Sequence, residues 1–307
     1  MLTKDYLFSV IIPHKDSTTL LQRCLDSIPK DDDIQILIID DNSQNIDRKN
    51  FPGNDRAHVK IFFSDIQLTA GGARNKALSM VSGKWILFSD ADDFFTSNAF
   101  ETFRATISNQ YNILYYKVES KYSDTLKPAT RHLGVNKMIN EYEEDANILR
   151  LKHIVPWGKV FSAEFIKTGK FKFDEVPASN DMMFGLKTGY YSSQIAVVHH
   201  VVYCITMKSG SISNTLTKTN NRSRYQVMLR ANLFLREKGL HKYQNSIRPF
   251  VFNALKFGVL EFIDSIKLLY KYKGDFFYDF KFGRVVTSFF KLKQKEELHK
   301  KYIKKKE

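Results

Sequence analysis

The chain has 307 residues, of which 43% are hydrophobic and 26% charged, and it carries a formal net charge of +14. This composition is typical of a folded globular protein and excludes intrinsic disorder and collagenous or repeat architectures. No stretch approaches the roughly 20 consecutive apolar residues that a membrane-spanning helix needs, so we expect a protein that does not cross a bilayer.

The first half of the chain alternates short apolar runs with amphipathic segments. The runs are rich in β-branched and aromatic residues and predict five strands, at residues 8–13, 34–40, 59–64, 84–90 and 112–118. Helical patterns lie between them at about residues 17–28, 71–82 and 96–109. This alternation predicts an α/β fold, with a mostly parallel central sheet and helices on both faces. Such a sheet places its ligand at the carboxyl ends of its strands.

The pattern changes after about residue 220. From there the sequence predicts long helices that are broken near Pro249 and Gly274, with no further strand signal. We therefore expect an α/β domain over residues 1–219 and a helical, basic C-terminal extension over residues 220–307.

The positive charge is concentrated at the carboxyl end of the chain. Residues 270–307 hold twelve Lys and Arg against five Asp and Glu, which is half of the net excess, and phenylalanines are interleaved with them. Anionic lipid attracts such segments by about 1 kcal/mol per basic residue near the surface. The segment therefore fits a peripheral membrane contact, and a helix docked on the α/β domain is the alternative.

The sequence also bears on the compartment. Cys24 and Cys204 lie in apolar stretches without metal-type spacing, which favours buried free thiols over a disulfide or zinc site. The first residues lack the apolar core and cleavage site of a signal peptide. We expect a cytoplasmic protein, in peripheral contact with the inner face of the membrane if the basic segment binds lipid.

Polar residues that no core requires follow the first, second and fourth predicted strands, and they should meet at one edge of the sheet. The fourth strand is followed by Asp90, Asp92 and Asp93, whose mutual repulsion requires a compensating cation. Mg²⁺ or Mn²⁺ is usually held by one or two carboxylates together with phosphate oxygens. The cluster therefore predicts a metal site coupled to a diphosphate ligand. A turn with an Asp that caps the next helix is the alternative.

Four segments occur in the order and at the spacing of a known family. They are Phe8-Ser-Val-Ile-Ile-Pro13, Ile39-Asp-Asp-Asn-Ser43, Gly72-Ala-Arg-Asn75 and Phe88-Ser-Asp-Ala-Asp-Asp93. Over about residues 7–215 the chain resembles glycosyltransferase family 2, whose members have the GT-A, or nucleotide-diphospho-sugar transferase, fold. The resemblance implies a UDP-sugar or similar donor, a divalent metal and inversion at the anomeric carbon.

The resemblance also assigns expected roles in donor binding. Pro13 and His14 would line the nucleobase pocket, and Asp41 would form a hydrogen bond to the base. Arg74 would lie near the nucleotide. The residues Asp40 to Ser43 are also good turn formers, so a purely structural role for that segment is the alternative.

In the acidic cluster, the family's pattern implies that Asp90 and Asp92 lie against the ribose and diphosphate. Asp92 and Asp93 would hold the metal. Which of the three carboxylates binds the ion is left open by the sequence. A later element, Lys208-Ser-Gly-Ser-Ile-Ser213, resembles a family segment that would close over the donor's phosphates, and a solvated loop is its alternative.

The family's catalytic base is the Asp of a Glu-Asp pair that opens a helix. Asp181 matches this base, whereas Asn180 departs from the usual Glu. A carboxylate at a helix start also serves as a cap, so the pattern alone fits both roles. Trp157 and Lys159 resemble an element that borders the acceptor side, and an ordinary buried Trp is the alternative there.

Other nucleotide enzymes fit poorly. No glycine fingerprint follows the first strand, and no phosphate-binding P-loop motif occurs. The tail-weighted charge and the acidic cluster disfavour a nucleic-acid partner. The sequence therefore predicts an inverting glycosyltransferase that moves a sugar from a nucleotide-sugar donor to a saccharide or lipid-linked acceptor in surface-polysaccharide synthesis. A catalytically silent relative that binds carbohydrate or nucleotide is the alternative.

Overall fold

The structure is a computed structural model that describes residues 6–207 and 216–278. The chain divides into two compact units. The first consists of residues 1–119 and 131–206, and the second of residues 120–130 and 207–307. Because compactness alone does not define a folding domain, the predicted boundary between residues 219 and 220 stays a proposal.

Eight strands form one sheet in the order β3-β2-β1-β4-β7-β6-β8-β5. Their bounds are Tyr6–His14 (β1), Ile34–Asp40 (β2), Val59–Phe63 (β3), Gly83–Phe88 (β4), Phe94–Phe95 (β5), Ile113–Tyr122 (β6), Lys159–Ser162 (β7) and Ile195–Met207 (β8). The pairs β1–β2, β1–β4 and β2–β3 are parallel. Strand β7 is antiparallel to both β4 and β6, so β6 runs in the same direction as β4. The predicted α/β fold is confirmed, and all five predicted strands share one direction.

Seven helices belong to the described part of the first unit. They are Thr18–Asp26 (α1), Thr69–Leu78 (α2), Ala99–Thr106 (α3), Leu133–Asn140 (α4), Ala146–Lys152 (α5), Ala163–Thr168 (α6) and Met182–Tyr191 (α7). The side chains of β1 alternate between two apolar cores, with Val10 in one and Ile11 in the other. Helix α1 supplies Leu21 to the first core, and α2 supplies Ala73 to the second. Helices therefore cover both faces of the sheet, as predicted.

The described part of the second unit is mainly helical. It contains Lys218–Glu237 (α8), a short 3-10 helix at His241–Tyr243, Arg248–Leu255 (α9) and Val259–Lys271 (α10). A small core joins α8 and α9 through Tyr225, Leu229 and Val251. The predicted C-terminal helices are confirmed, with Pro249 in the first turn of α9, where its missing N–H costs nothing. Within the described ranges no helix is long and apolar enough to cross a membrane.

Candidate active site

The strands β1, β2 and β4 are neighbours, and they end at the same edge of the sheet. His14 of β1 is in register with Asp40 of β2. On the other side of β1, the N–H of Ser89, just after β4, donates to the carbonyl of Ile11 at 3.0 Å. The polar segments that follow these strands therefore converge, because parallel strands end together.

His14 is buried, and both of its ring nitrogens are bonded within the protein. Its Nε2 must accept from the backbone N–H of Ser17 at 3.1 Å. The neutral ring therefore carries its proton on Nδ1 and donates it to Asp40 at 2.7 Å. Asp40 also accepts from the amide and the hydroxyl of Ser43, at 3.0 and 2.6 Å. These contacts fix the ends of β1 and β2. Ser17, at the start of α1, makes no capping hydrogen bond with its side chain.

Asp41 lies beside this pair and is also buried. One carboxylate oxygen accepts from the backbone N–H of Leu68, and the other lies 4.0 Å from the Lys15 ammonium. Its own N–H donates to the carbonyl of His14 at 2.8 Å. Pro13 is half-buried next to it. The structure thus brings together three of the residues predicted to bind the nucleobase.

Unfavourable backbone conformations occur in the segments around this edge. Five residues other than glycine have positive φ there, at 50°, 55°, 56°, 67° and 59° for Asp16, Asn42, Asn45, Thr69 and Ser179. Thr69 is the most unusual, because a β-branched residue is disfavoured in this region of φ/ψ space. Such conformations persist only when surrounding contacts impose them, and they tend to occur at functional sites.

Asp93 points into the protein. Its side chain is only 2% exposed. One carboxylate oxygen accepts from the Tyr203 hydroxyl at 3.0 Å, and the other accepts from the backbone N–H of Thr206 at 2.6 Å. Burial, followed by the charges of Asp92 and Asp90, raises the pKa of Asp93 well above its ordinary value. Both carboxylate oxygens of Asp93 are therefore already held by protein donors.

Strand β8 and helix α1 hold the rest of the acidic loop. The hydroxyl of Tyr203 accepts from the N–H of Asp90 at 3.0 Å. The carbonyl of Asp92 accepts from the hydroxyl of Thr206 at 2.7 Å and from the Arg23 guanidinium at 2.6 Å. Sequence reasoning missed Tyr203 and Thr206 because they lie more than 100 residues beyond the loop that they bind. The side chains of Asp90 and Asp92 stay only partly buried.

Arg74 connects the acidic loop to the helix that carries Asp181. This buried side chain donates from Nη2 to Asp90 at 2.5 Å and from Nη1 to Asn180 at 3.0 Å. Its guanidinium lies over the ring of Phe173, 5.3 Å from the ring centre. The neutral Asn180 therefore leaves Asp90 as the carboxylate that Arg74 binds directly.

Asp181 precedes α7, and its side chain makes no capping hydrogen bond there. The cap interpretation is therefore not supported. Burial raises the pKa of Asp181, and the charge of Asp90 adds to this effect, whereas the charges of Arg74 and Lys159 lower it. A carboxylate with a raised pKa is a stronger base than an ordinary Asp.

Trp157 and Lys159 are both buried. The ring of Trp157 stacks on Tyr203, with 6.1 Å between ring centres, so it fits the alternative of a core residue. The Lys159 ammonium donates to the carbonyl of His153. Burial lowers the pKa of Lys159 to about 7, and the charge of Asp181 opposes that shift.

The side chains of the acidic loop can hold a divalent cation only if a bound molecule supplies further oxygen ligands. In residues 6–207 and 216–278, no three Asp, Glu, His or Cys side chains form a complete metal site. Asp90 and Asp92 nevertheless offer hard oxygen ligands, and Mg²⁺ and Mn²⁺ commonly take one or two carboxylates when phosphates supply the rest. The segment Lys208 to Ser213, predicted to close over those phosphates, lies outside the described residues.

Comparison with known proteins identifies the family. The family model described as glycosyl transferase family 2 matches residues 9–169. A poly(ribitol-phosphate) β-glucosyltransferase of Bacillus spizizenii is 26% identical over 202 residues, which cover 62% of this chain and 30% of that protein. The chain thus spans less than a third of the length of that relative.

Two solved structures share the fold. A crystal structure of S. aureus TarS in complex with UDP-GlcNAc aligns with a TM-score of 0.63 at 19% identity, over 86% of this chain and 80% of that one. The mannosyltransferase PcManGT from Pyrobaculum calidifontis, in complex with GDP-Man and Mn²⁺, aligns with a TM-score of 0.54 at 12% identity, over 88% and 75% of the two chains.

Proposed function

Since the chain belongs to glycosyl transferase family 2, we propose that it transfers a sugar from a nucleotide-diphosphate sugar to a saccharide or lipid-linked acceptor in surface-polysaccharide synthesis. One observation carries this proposal. Arg74 binds Asp90 of the acidic loop and Asn180, the neighbour of Asp181, and so joins the two predicted halves of the site. The names of the relatives, a poly(ribitol-phosphate) glucosyltransferase among them, support a surface polymer as the product.

The donor is proposed to lie along the carboxyl edge of β1, β2 and β4. The nucleobase would occupy the space beside Pro13, with Asp41 as its hydrogen-bond partner. His14 would act indirectly, because both of its nitrogens are already bonded. The UDP-GlcNAc and GDP-Man bound to the two structural relatives support a nucleotide sugar, and among these we propose a UDP-sugar.

A divalent metal, Mn²⁺ or Mg²⁺, is proposed to bind at the acidic loop together with the diphosphate. Asp92 is the ligand that we favour, and Asp90 would face the ribose and diphosphate while it binds Arg74. Asp93 was predicted as a second metal ligand. Because each of its carboxylate oxygens already accepts a hydrogen bond from the protein, we propose that it fixes the loop instead. When bound, the cation would neutralise charge on the departing nucleoside diphosphate.

The proposed reaction is a single displacement. Asp181 takes the proton of an acceptor hydroxyl while that oxygen forms a bond to the anomeric carbon of the donor. The bond from that carbon to the diphosphate oxygen breaks at the opposite face, so the configuration inverts. The raised pKa of Asp181 strengthens the base. Arg74 holds the loop and the base at fixed separation, which reduces the entropy lost in reaching the transition state.

The calorimetric titration of UDP and GDP into the protein, with and without Mn²⁺, tests the proposal. We expect metal-dependent binding of UDP that weakens at least about tenfold in Asp92→Asn, since a metal ligand is lost. Asp93→Asn should instead lower the thermal unfolding midpoint. If neither nucleotide binds in either condition, the donor site proposed here is wrong.

The contact between residues 270–307 and the membrane also stays a proposal. Residues 279–307, which hold most of that segment, lie outside the described residues. A cytoplasmic location, in contact with the inner face of the membrane, is part of the same proposal.

A further inference from the structure

Helix α10 buries polar side chains and exposes apolar ones. Glu261 and Ser265 are buried inside the second unit, to which α10 belongs. Glu261 lies 3.1 Å from the Lys218 ammonium and 3.4 Å from the Arg222 guanidinium, and the Tyr225 hydroxyl donates to the carbonyl of Ser265 at 3.2 Å. These contacts fix the rotation of the helix about its own axis.

The opposite side of α10 carries an apolar stripe that faces outward. Val259, Leu260 and Tyr270 are 68%, 80% and 88% exposed. The stripe is completed by residues that follow helical spacing, Ile263 and Ile266. A helix of a globular protein normally turns such a stripe toward the core, so this one is arranged for contact with something outside its unit.

Further apolar side chains are exposed on α9 and on the segment after α10. These are Phe252, Leu255 and Phe277. The rings of Phe252 and Phe276 are in edge contact at 6.0 Å, and Phe276 contacts Phe277 at 5.4 Å. We call these side chains and the α10 stripe the α9–α10 surface. It holds eight of the thirteen exposed large apolar side chains within the described ranges.

The charges around the α9–α10 surface are mainly positive. Lys256, Lys271 and Lys273 are exposed beside it. Lys267 lies 3.2 Å from Asp264 and balances that carboxylate. Asp275 is the exposed carboxylate of this segment. The α9–α10 surface thus combines protruding apolar side chains with an excess of lysine, as do helices that lie in the interface of an anionic bilayer.

We propose that the α9–α10 surface docks on a bilayer that contains anionic lipid, with α10 parallel to the membrane plane. A helix of 13 residues is about 20 Å long, which is too short to cross the roughly 30 Å hydrocarbon layer. Pairing two copies through this surface would bring their lysines together and is disfavoured by repulsion. The proposal does not rest on sugar transfer, because docking is measured without a substrate.

The test is co-sedimentation of the full chain with vesicles of phosphatidylglycerol and phosphatidylethanolamine, and with vesicles of phosphatidylcholine alone. We expect binding to the anionic vesicles that weakens in high salt. The double variant Leu260→Ser and Ile263→Ser should bind at least about tenfold more weakly, because two inserted side chains lose their apolar burial.

The matched control is Ile66→Ser, which removes an apolar side chain of the first unit that is 68% exposed. It should bind like the parent protein, and the double variant should keep the parent's circular dichroism spectrum because both of its positions are exposed. A chain that ends at residue 278 keeps the α9–α10 surface and lacks most of the basic tail. It should still bind anionic vesicles more tightly than the same shortened chain with the double substitution.

Three outcomes would overturn the proposal. The first is equal vesicle binding by the parent and the double variant. The second is complete loss of binding on removal of residues 279–307, which would assign docking to the tail. The third is a stable dimer in light scattering that dissociates in the double variant, which would show that a second copy covers the surface.

Discussion

The hydroxyl of Tyr203 donates a hydrogen bond to the buried carboxylate of Asp93 at 3.0 Å, although 110 residues separate the two in the chain. The same hydroxyl accepts from the N–H of Asp90 at 3.0 Å. Burial, with the neighbouring charges of Asp93 and Asp90, raises the pKa of Tyr203 well above its ordinary value, so it remains a donor. One side chain of β8 thus fixes both ends of the acidic loop.

Removal of that hydroxyl should loosen the loop. Tyr203→Phe leaves Asp93 buried with one donor fewer, which we expect to lower the free energy of unfolding by about 1–3 kcal/mol. The affinity for UDP in the presence of Mn²⁺ should fall as well. Tyr116→Phe is the matched control, since its buried hydroxyl bonds to Thr106 at 2.7 Å, away from the loop. It should lose stability and keep its UDP affinity, and equal UDP affinities in both variants would argue against the role of Tyr203.

Gly71 allows α2 to approach the segment that carries the base. A Cβ at this position would lie 2.0 Å from the carbonyl oxygen of Asp174 and 3.0 Å from the Cβ of Asn180. Gly71→Ala should therefore displace the neighbouring Asp181, slow turnover by at least about tenfold and lower the thermal midpoint. Gly134→Ala in α4, where a Cβ meets nothing within 4 Å, should instead stabilise the protein by about 0.5–1 kcal/mol. Full activity in Gly71→Ala would contradict the close approach.

Arg74 should set the pH at which the base loses its proton. Its positive charge lowers the pKa of Asp181, so Arg74→Met should raise that pKa. Since the base acts when deprotonated, the acid limb of the plot of kcat/KM against pH should move to higher pH. Arg74→Lys keeps the charge and should leave the limb in place at a lower rate.

The control for this pH profile is Arg104→Met. Arg104 pairs with Asp31 and Asp33 at 2.7 and 2.8 Å in the same unit and has no contact with Asp181. Its loss should leave the acid limb unchanged. Identical limbs in the parent and in Arg74→Met would show that Arg74 does not tune the base.

Lys159 should make stability depend on pH. Its pKa is about 7 in the folded protein against an ordinary value of 10.5, so the unfolded chain binds more protons between these values. Stability from this group therefore rises with pH across that window. Relative to Lys159→Met, the parent should gain about 2 kcal/mol between pH 7 and pH 9, measured by urea unfolding.

The exposed Lys84 of β4 provides the comparison. Lys84→Met removes a lysine from the surface, so it separates the loss of a buried ammonium from the loss of a lysine as such. A constant difference between the parent and Lys159→Met from pH 7 to pH 9 would mean that Lys159 is not held in a charge-disfavouring environment.

The parallel half of the sheet was predictable because its strands are long apolar runs between turn residues. The predicted strand at residues 34–40 coincides with β2, and the one at residues 8–13 lies within β1. Strand β7 was missed since four residues, Lys159–Ser162, are too few to show a periodicity. Its antiparallel direction depends on pairing with β4 and β6, which no local pattern encodes.

The candidate active site was likewise predictable only in part. Three adjacent carboxylates indicated the acidic loop, but the sequence could not show that Asp93 turns inward. That orientation depends on Tyr203 and Thr206, which reach the loop only through β8. The departure of Asn180 from the family's Glu was visible, whereas its hydrogen bond to Arg74 required the fold.

The proposed transfer is tested most directly by the release of nucleoside diphosphate from a panel of UDP-sugars in the presence of Mn²⁺, in the parent and in Asp181→Asn. We predict that the parent turns over at least one donor, and that Asp181→Asn is slower by about 10²–10⁴-fold with an unchanged affinity for UDP, because only the base is lost. Equal rates in the two proteins, with UDP bound by both, would contradict the assignment of Asp181 as the base.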